Sequence, residues 1–371
     1  MAETTSALAD TKPSTGRIAG LDVARAFAVI GMVLVNFKLT MGAEESGSAQ
    51  LRAFAALFDG RASATFVILA GIGTSLGSRR ARESCDPELR RRARVVLAKR
   101  ALFLFVIGWA FFPIWPADIL HYYGVYLAIG ALVLFASNRW LWSLAAAAVV
   151  ISLIFIVTFD FFANWDLTSY LYRGLGTPTG FLRNLFFDGF HPVFPWIAFY
   201  LFGMWFGRTD LRDRVWRMKL TVVAAVSVVV TEALAWALLG PKGGSFTGID
   251  GQSWRWLFSV EPIPPLPLYL VAGAGTAVLV ICGSIWLTEH LPAPVMEPLV
   301  STGQLALSIY LAHILVGMGV LETFGRLENQ SLAWAIVTSA LFSLIAIAFA
   351  WAWRRRFRRG PLEALMRRVS G

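Results

Sequence analysis

Long apolar segments alternate with short polar or basic segments along almost the whole chain. The apolar segments of helical length lie at residues 19–39, 61–77, 95–112, 120–137, 140–159, 191–207, 220–239, 265–287, 301–321 and 331–353. A helix needs ~20 residues to cross the hydrocarbon core of a bilayer, and most of these segments approach that length. The pattern therefore predicts an all-α fold, a polytopic transmembrane helix bundle of about ten spans.

Basic residues are concentrated in one of the two sets of connecting segments. Residues 79–100 contain nine Lys or Arg and three acidic residues, residues 208–219 contain five and two, and residues 354–371 contain seven and one. Cytoplasmic loops of membrane proteins carry an excess of Lys and Arg, so these three segments are predicted to be cytoplasmic. With ten spans, both termini are then cytoplasmic.

The same pattern divides the chain into a cytoplasmic N-terminal tail at residues 1–16, a transmembrane domain at 17–353 and a basic cytoplasmic C-terminal tail at 354–371. A mean hydropathy of +0.63, with 57% hydrophobic residues, excludes a soluble domain. The orientation of the spans accounts for the net charge of +10, so we expect no nucleic-acid partner.

Neither a metal nor a disulfide is expected to contribute to the chemistry. Cys85 lies in a basic loop and Cys282 in an apolar segment, without the spacing of metal ligands. Gly203 and Gly207 form a small-xxx-small pair, which we interpret as a helix-packing position.

Charged and amide side chains within the predicted spans are candidates for function because they are costly in a membrane. Asp22, Arg25 and Asn36 lie in the first span. Asp22 and Arg25 are three residues apart and can pair on one helix, so Arg25 is either a structural anchor or a ligand for an anionic cofactor group. Asp59 and Arg61 begin the second span, where Arg61 snorkels, pairs with Asp59 or faces an outer cavity.

Three of the four histidines lie in or beside predicted spans. His121 follows Asp118 by three residues at the outer end of the fourth span, and His191 begins the sixth span at a similar predicted depth. Asp118 can therefore orient the ring of His121, and either histidine can serve as a general base. His313 lies within the ninth span, and a purely structural hydrogen-bonding role is the alternative for each of the three.

Several motifs in a fixed order resemble those of one family. They are R-x4-D-x2-R with M-x3-N in the first span, GRASATFVILAG at 60–71, DILHYYG at 118–124, HPVFPW at 191–196, FGMWFGR at 202–208 and TGQLALSIYLAH at 302–313. In this order they resemble the YeiB-like bacterial membrane proteins, which are similar in turn to heparan-alpha-glucosaminide N-acetyltransferase and, more distantly, to the acyltransferase-3 membrane enzymes. The resemblance covers nearly the whole chain.

The resemblance implies a membrane acyltransferase of the bacterial cytoplasmic (inner) membrane. Such an enzyme moves an acyl group, with acetyl preferred, from cytoplasmic acyl-CoA to a sugar or another hydroxyl or amine acceptor on the outer side. Asn36 matches a polar site position of the family. The relatives carry a histidine shortly after that position, whereas residues 40–52 contain none. The base is therefore expected elsewhere, at His121 or His191.

Three groups of site residues follow from these inferences. The expected catalytic residues are Asn36, Asp118, His121 and His191. A basic cytoplasmic mouth for the negative charges of acyl-CoA is expected from Arg25, Arg79, Arg80 and Arg100. The expected substrate-binding residues are Asp59, Arg61 and His313.

The competing hypothesis is a transporter or flippase that uses the same intramembrane polar groups to bind a small anion or a lipid-linked substrate. An enzyme changes its substrate covalently, whereas a transporter accumulates it unchanged. The partners expected of the enzyme are membrane lipids, acyl-CoA and an extracytoplasmic acceptor. A homodimer is a further possibility that the sequence leaves open.

The predicted topology can be tested by labelling single cysteines in intact cells. In a background without Cys85 and Cys282, a Ser169→Cys variant should react with a membrane-impermeant thiol reagent. A Ser84→Cys variant should react only after permeabilisation, because the two positions lie in loops on opposite sides. The reverse labelling pattern would contradict the predicted orientation.

Overall fold

The computed structural model describes residues 17–166, 171–240 and 254–371. The predicted N-terminal tail and Ser169 lie outside these residues. The helices are α1 (Ala19–Thr40), α2 (Ala49–Ala56), α3 (Arg61–Gly77), α4 (Arg79–Glu83), α5 (Pro87–Phe111), α6 (Leu120–Leu132), α7 (Asn138–Thr158), α8 (Pro178–Arg183), α9 (Val193–Phe206), α10 (Arg214–Leu239), α11 (Pro267–His290), α12 (Ala293–Gln304), α13 (Ala306–Ala312), α14 (Gly319–Thr323), α15 (Leu332–Arg356) and α16 (Pro361–Ser370). A short antiparallel pair, β1 (Trp165–Asp166) and β2 (Leu171–Tyr172), adds a small exception to the predicted all-α fold.

Several helices are long and apolar enough to cross a membrane, so the chain is a multi-pass membrane protein. In the described residues seven segments meet this criterion: Ala19–Thr40, Ala49–Gly77, Asn138–Thr158, Arg214–Leu239, Pro267–His290, Ala306–Thr323 and Leu332–Arg356. The bent pair Pro178–Asp188 and Val193–Phe206 raises the number to eight if it forms one span. The predicted spans at 95–112 and 120–137 coincide with α5 and the shorter apolar α6. A total of about ten spans, with both termini cytoplasmic, stays a prediction.

Helix α1 lies at the centre of the bundle, against α3, α11, α12, α13 and α15. Glycines bring its neighbours very close. A Cβ at Gly20 would lie 2.4 Å from the Cα of Ile285 in α11, and a Cβ at Gly303 in α12 would lie 1.8 Å from the carbonyl oxygen of Asp22. Because neither backbone can retreat cheaply, these glycines hold α1 in place between its neighbours.

Helices α3 and α9 cross at an equally close contact. A Cβ at Gly203 would lie 2.2 Å from the carbonyl oxygen of Ile68, and a Cβ at Gly71 would lie 2.2 Å from that of Tyr200. A Cβ at Gly207 would also approach the backbone of α3. The helix-packing role predicted for Gly203 and Gly207 is therefore confirmed.

One of the predicted spans is interrupted, and another follows directly after a bend. Between α8 and α9 a π-helical turn, Asn184–Asp188, precedes a bend of 47°. The predicted span at 301–321 is divided among α12, α13 and α14, with a π-helical turn at His313–Met318. Such turns are rare and are often found at functional sites. His191 and His313, two of the predicted site residues, both lie at these interruptions.

The predicted C-terminal tail contains a folded helix, α16, which packs against α5 and α13. Glu363 Oε1 accepts hydrogen bonds from the backbone N–H groups of Leu307 (2.9 Å) and Ser308 (3.1 Å), and its Oε2 accepts one from the Ser308 hydroxyl (2.5 Å). The first N–H groups of a helix have no partner within that helix. Glu363 therefore caps α13, the helix that leads to His313.

Removing this cap should destabilise the protein. Glu363→Ala is expected to lower the free energy of unfolding by about 1–2 kcal/mol, because N–H groups at the start of α13 lose their acceptor. Thermal unfolding in detergent measures the effect. Glu297→Ala is the control, since Glu297 is exposed on α12. Equal unfolding midpoints for the two variants would contradict the capping role.

Candidate active site

Asp118 and His121 form a buried pair at the start of α6. Asp118 Oδ2 accepts hydrogen bonds from the backbone N–H groups of Leu120 (2.8 Å) and His121 (3.2 Å). His121 Nδ1 lies 3.2 Å from the same oxygen, and both side chains are 1% exposed. A carboxylate only accepts, so Nδ1 carries the hydrogen and Nε2 presents its lone pair. The contact predicted from the three-residue spacing is present.

Tyr310 of α13 connects this pair to a second helix. Its hydroxyl donates to Asp118 Oδ1 at 3.2 Å and accepts from the backbone N–H of Ile119 at 3.2 Å. A buried carboxylate is stable only when donors surround it, and Asp118 receives four. Sequence reasoning missed Tyr310, although it lies one turn before His313.

His313 contacts Asn36 rather than the other histidines. Asn36 Nδ2 lies 2.9 Å from His313 Nε2, and His313 Nδ1 contacts the carbonyl oxygen of Tyr310. A carbonyl oxygen only accepts, so Nδ1–H donates to it and Nε2 accepts from the Asn36 amide. Both nitrogens of the fully buried His313 are therefore occupied. Tyr310 joins the Asp118–His121 pair to the Asn36–His313 pair.

Several buried polar atoms near α6 and α9 have no hydrogen-bond partner in the described part of the chain. They are His121 Nε2, His191 Nδ1, Trp196 Nε1 and the Tyr123 hydroxyl. The ring of Tyr122 lies between the two histidines, 3.9 Å from His121 and 6.0 Å from His191 between centroids. Buried polar atoms nearly always have partners, so the two unpaired histidine nitrogens beside Tyr122 mark a place for a polar ligand or water. His121 and His191, which the sequence placed at a similar predicted depth, therefore lie on either side of one tyrosine ring.

Two glycines that sequence reasoning overlooked shape the site. A Cβ at Gly108 in α5 would lie 2.2 Å from the backbone nitrogen of His121 and 2.7 Å from Asp118 Oδ2. A Cβ at Gly189 would lie 2.0 Å from the Tyr122 hydroxyl. A larger residue at either position would therefore push away the side chains or the backbone that form the site. Their isolated positions in the sequence give no signal of this role.

The two predicted substrate-binding residues at the start of α3 are held in ion pairs. Lys38 Nζ lies 2.7 and 2.6 Å from the two oxygens of Asp59, and the Lys38 side chain is only 7% exposed. Arg61 pairs with Glu232 of α10. The alternative in which Arg61 pairs with Asp59 is therefore wrong, because Lys38 from α1 occupies that carboxylate. A substrate-binding role for Asp59 and Arg61 stays a prediction.

Glu261 lies beside these ion pairs, in the connection that leads to α11. Burial and, next, the negative charge of Asp59 raise the pKa of the Glu261 carboxyl, whereas Arg61 and Lys38 lower it, and together these effects bring the pKa to about 7. Glu261 is therefore partly protonated near neutral pH.

The four arginines predicted to bind the cofactor contact different elements. Arg25 Nη1 lies 2.6 Å from Asp22, so the predicted pair on α1 is present. Arg79 pairs with a glutamate one turn later in α4, and Arg100 Nε lies 3.5 Å from a serine hydroxyl at the end of α16. Arg80 is exposed. A common mouth formed by these four residues stays a prediction.

Two family comparisons match the chain. Residues 17–239 match the family described as heparan-alpha-glucosaminide N-acetyltransferase, catalytic, and residues 203–371 match one described as a protein of unknown function (DUF418). A comparison with curated proteins gave no match. His121 lies in the first matched range, whereas Tyr310 and His313 lie only in the second. The hydrogen-bonded connection therefore joins residues of both matched parts.

The raised pKa of Glu261 predicts a pH-dependent stability. The folded chain holds this proton more tightly than the unfolded chain, so the stabilisation is present below the unfolded value of 4.5 and is lost as pH rises to about 7. Glu261→Gln should flatten this decrease of the unfolding midpoint between about pH 5 and 7. Glu328→Gln, at an exposed position, should keep the wild-type profile. Parallel profiles for wild type and Glu261→Gln would contradict the assignment.

Proposed function

The chain belongs to the heparan-alpha-glucosaminide N-acetyltransferase catalytic family, and on this premise we propose that it transfers an acetyl group from acetyl-CoA to a hydroxyl or amine acceptor. The family match confirms the resemblance inferred from the sequence motifs. The donor is proposed to bind from the cytoplasmic face and the acceptor from the opposite face of the membrane. The observation that carries the proposal is the Asp118–His121 pair, whose Nε2 is buried and unpaired among the described residues.

In the proposed reaction His121 acts as the general base. Its Nε2 takes the proton of the acceptor while the acceptor oxygen or nitrogen attacks the carbonyl carbon of the thioester. The carbon–sulfur bond then breaks, and the CoA thiolate receives the proton from His121. Asp118 holds the Nδ1–H and stabilises the positive charge that the ring carries between these two transfers.

Asn36 is proposed to stabilise the negative charge that develops on the thioester oxygen. Its amide has two N–H groups, and His313 accepts only one of them. A donor held in place before the reaction is effective because it needs no reorganisation as charge develops. The unpaired Nδ1 of His191 is proposed to orient the acceptor.

The cytoplasmic charge is proposed to attract the phosphates of CoA. Arg25 and Arg17 share the single carboxylate of Asp22, which leaves a net positive charge at the cytoplasmic end of α1. The other predicted arginines add to this field over a longer range.

The role of His121 can be tested by substitution. His121→Ala should reduce acetyl transfer from radiolabelled acetyl-CoA by at least about 100-fold, because a general base contributes on this scale. The acetyl-CoA concentration needed for a given thermal stabilisation should change by less than about two-fold. His290→Ala, at the exposed end of α11, is the matched control and should retain both properties.

Other outcomes would contradict the proposal. Undiminished transfer by His121→Ala would exclude it as the base. Uptake of an acceptor such as a glucosaminide into proteoliposomes without acetylation would favour the transporter hypothesis instead.

A further inference from the structure

A groove of about 470 Å³ lies at the start of α5, on the face predicted to be cytoplasmic. Its lining combines basic and apolar side chains: Pro87, Arg90, Arg91, Arg94, Val95 and Phe135. Phe135 belongs to the connection between α6 and α7, so the groove is formed by two separate parts of the chain.

Two arginines of the groove share one aromatic ring. The guanidinium carbons of Arg90 and Arg94 lie 5.1 and 5.0 Å from the centroid of Phe135. The two residues are one helical turn apart, where like charges repel, and the ring face compensates only weakly. Within the described residues neither has a carboxylate partner, whereas Arg91 pairs with Glu88 at 3.1 Å. The two guanidinium groups therefore lack a negatively charged partner within the described residues.

The face of α5 that continues from the groove is exposed and mostly apolar, with the exposed Lys99 between its apolar residues. Val95, Leu102 and Val106 follow one another at spacings of seven and four residues, which places them on one side of the helix. Their exposed fractions are 44%, 63% and 54%. An apolar stripe therefore runs from the arginines along α5, a segment that coincides with a predicted membrane span.

We propose that this groove binds an anionic phospholipid, with the phosphate between Arg90 and Arg94 and an acyl chain along Val95, Leu102 and Val106. Guanidinium groups bind phosphate oxygens through directed, charge-assisted hydrogen bonds. Basic pockets at the cytoplasmic face of membrane proteins suit the headgroups of such lipids. A soluble nucleotide would satisfy the arginines but not the stripe, whereas a phospholipid satisfies both.

The proposal can be tested on the purified full chain in detergent. Phosphatidylglycerol should raise the midpoint of thermal unfolding in a concentration-dependent way, and phosphatidylcholine with the same acyl chains should raise it less. The double variant Arg90→Gln/Arg94→Gln should lose at least about half of the difference between the two lipids. Arg212→Gln/Arg214→Gln removes the same charge from exposed positions near α10 and should keep the difference.

Further measurements separate this site from the acetyl-CoA site. Stabilisation by acetyl-CoA should be the same in the double variant and the wild type. Its loss in the double variant, with the phosphatidylglycerol effect retained, would overturn the lipid assignment in favour of a nucleotide site. An unchanged lipid difference in the double variant would also overturn it. If the double variant does not fold, Arg94→Gln alone should show a smaller loss, with bound phosphatidylglycerol counted by native mass spectrometry.

Discussion

The buried carboxylate of Asp118 is the interaction on which the arrangement of the site depends. It accepts hydrogen bonds from two backbone N–H groups of α6, from His121 Nδ1 and from the Tyr310 hydroxyl. A carboxylate away from water is tolerated only with such donors, so α6 and α13 cannot shift independently. Because the carbonyl of Tyr310 also holds His313, and His313 holds Asn36 of α1, one polar group links three helices.

Irregular backbone gives these side chains their positions. The π-helical turn that begins at His313 and the bend before α9 interrupt helices that would otherwise continue. Irregular backbone at membrane depth is tolerated when protein surrounds it, and the glycines at 108 and 189 allow the surrounding helices to approach closely enough. Two of the close backbone approaches therefore lie beside the unpaired histidine nitrogens. In the proposed acetyltransferase, this packing holds the two histidine rings in fixed positions.

Charged residues serve different purposes at the two faces of the bundle. At the predicted outer face Lys38 and Arg61 are paired with carboxylates, so they join helices and are poorly available for a ligand. At the predicted cytoplasmic face Arg90 and Arg94 lie over one aromatic ring, and neither has a carboxylate partner among the described residues, so they are suited to bind an anion. The distribution of charge therefore fits the predicted orientation of the spans.

The sequence by itself determined the helical segments, the family and two short-range contacts, Asp22–Arg25 and Asp118–His121. Apolar length and helical spacing are local properties, so the pairing of Asp118 with His121 followed directly from their separation of three residues. Only the tertiary structure decided that Asn36 contacts His313 and that Tyr310 connects this pair to Asp118 and His121. It also decided that Arg61 pairs with a glutamate on α10 rather than with Asp59. Such partners come from distant parts of the chain, and their meeting depends on how each helix is rotated and crossed. Close contacts between small residues and buried hydrogen bonds determine that rotation, and neither has a period that can be read along the chain.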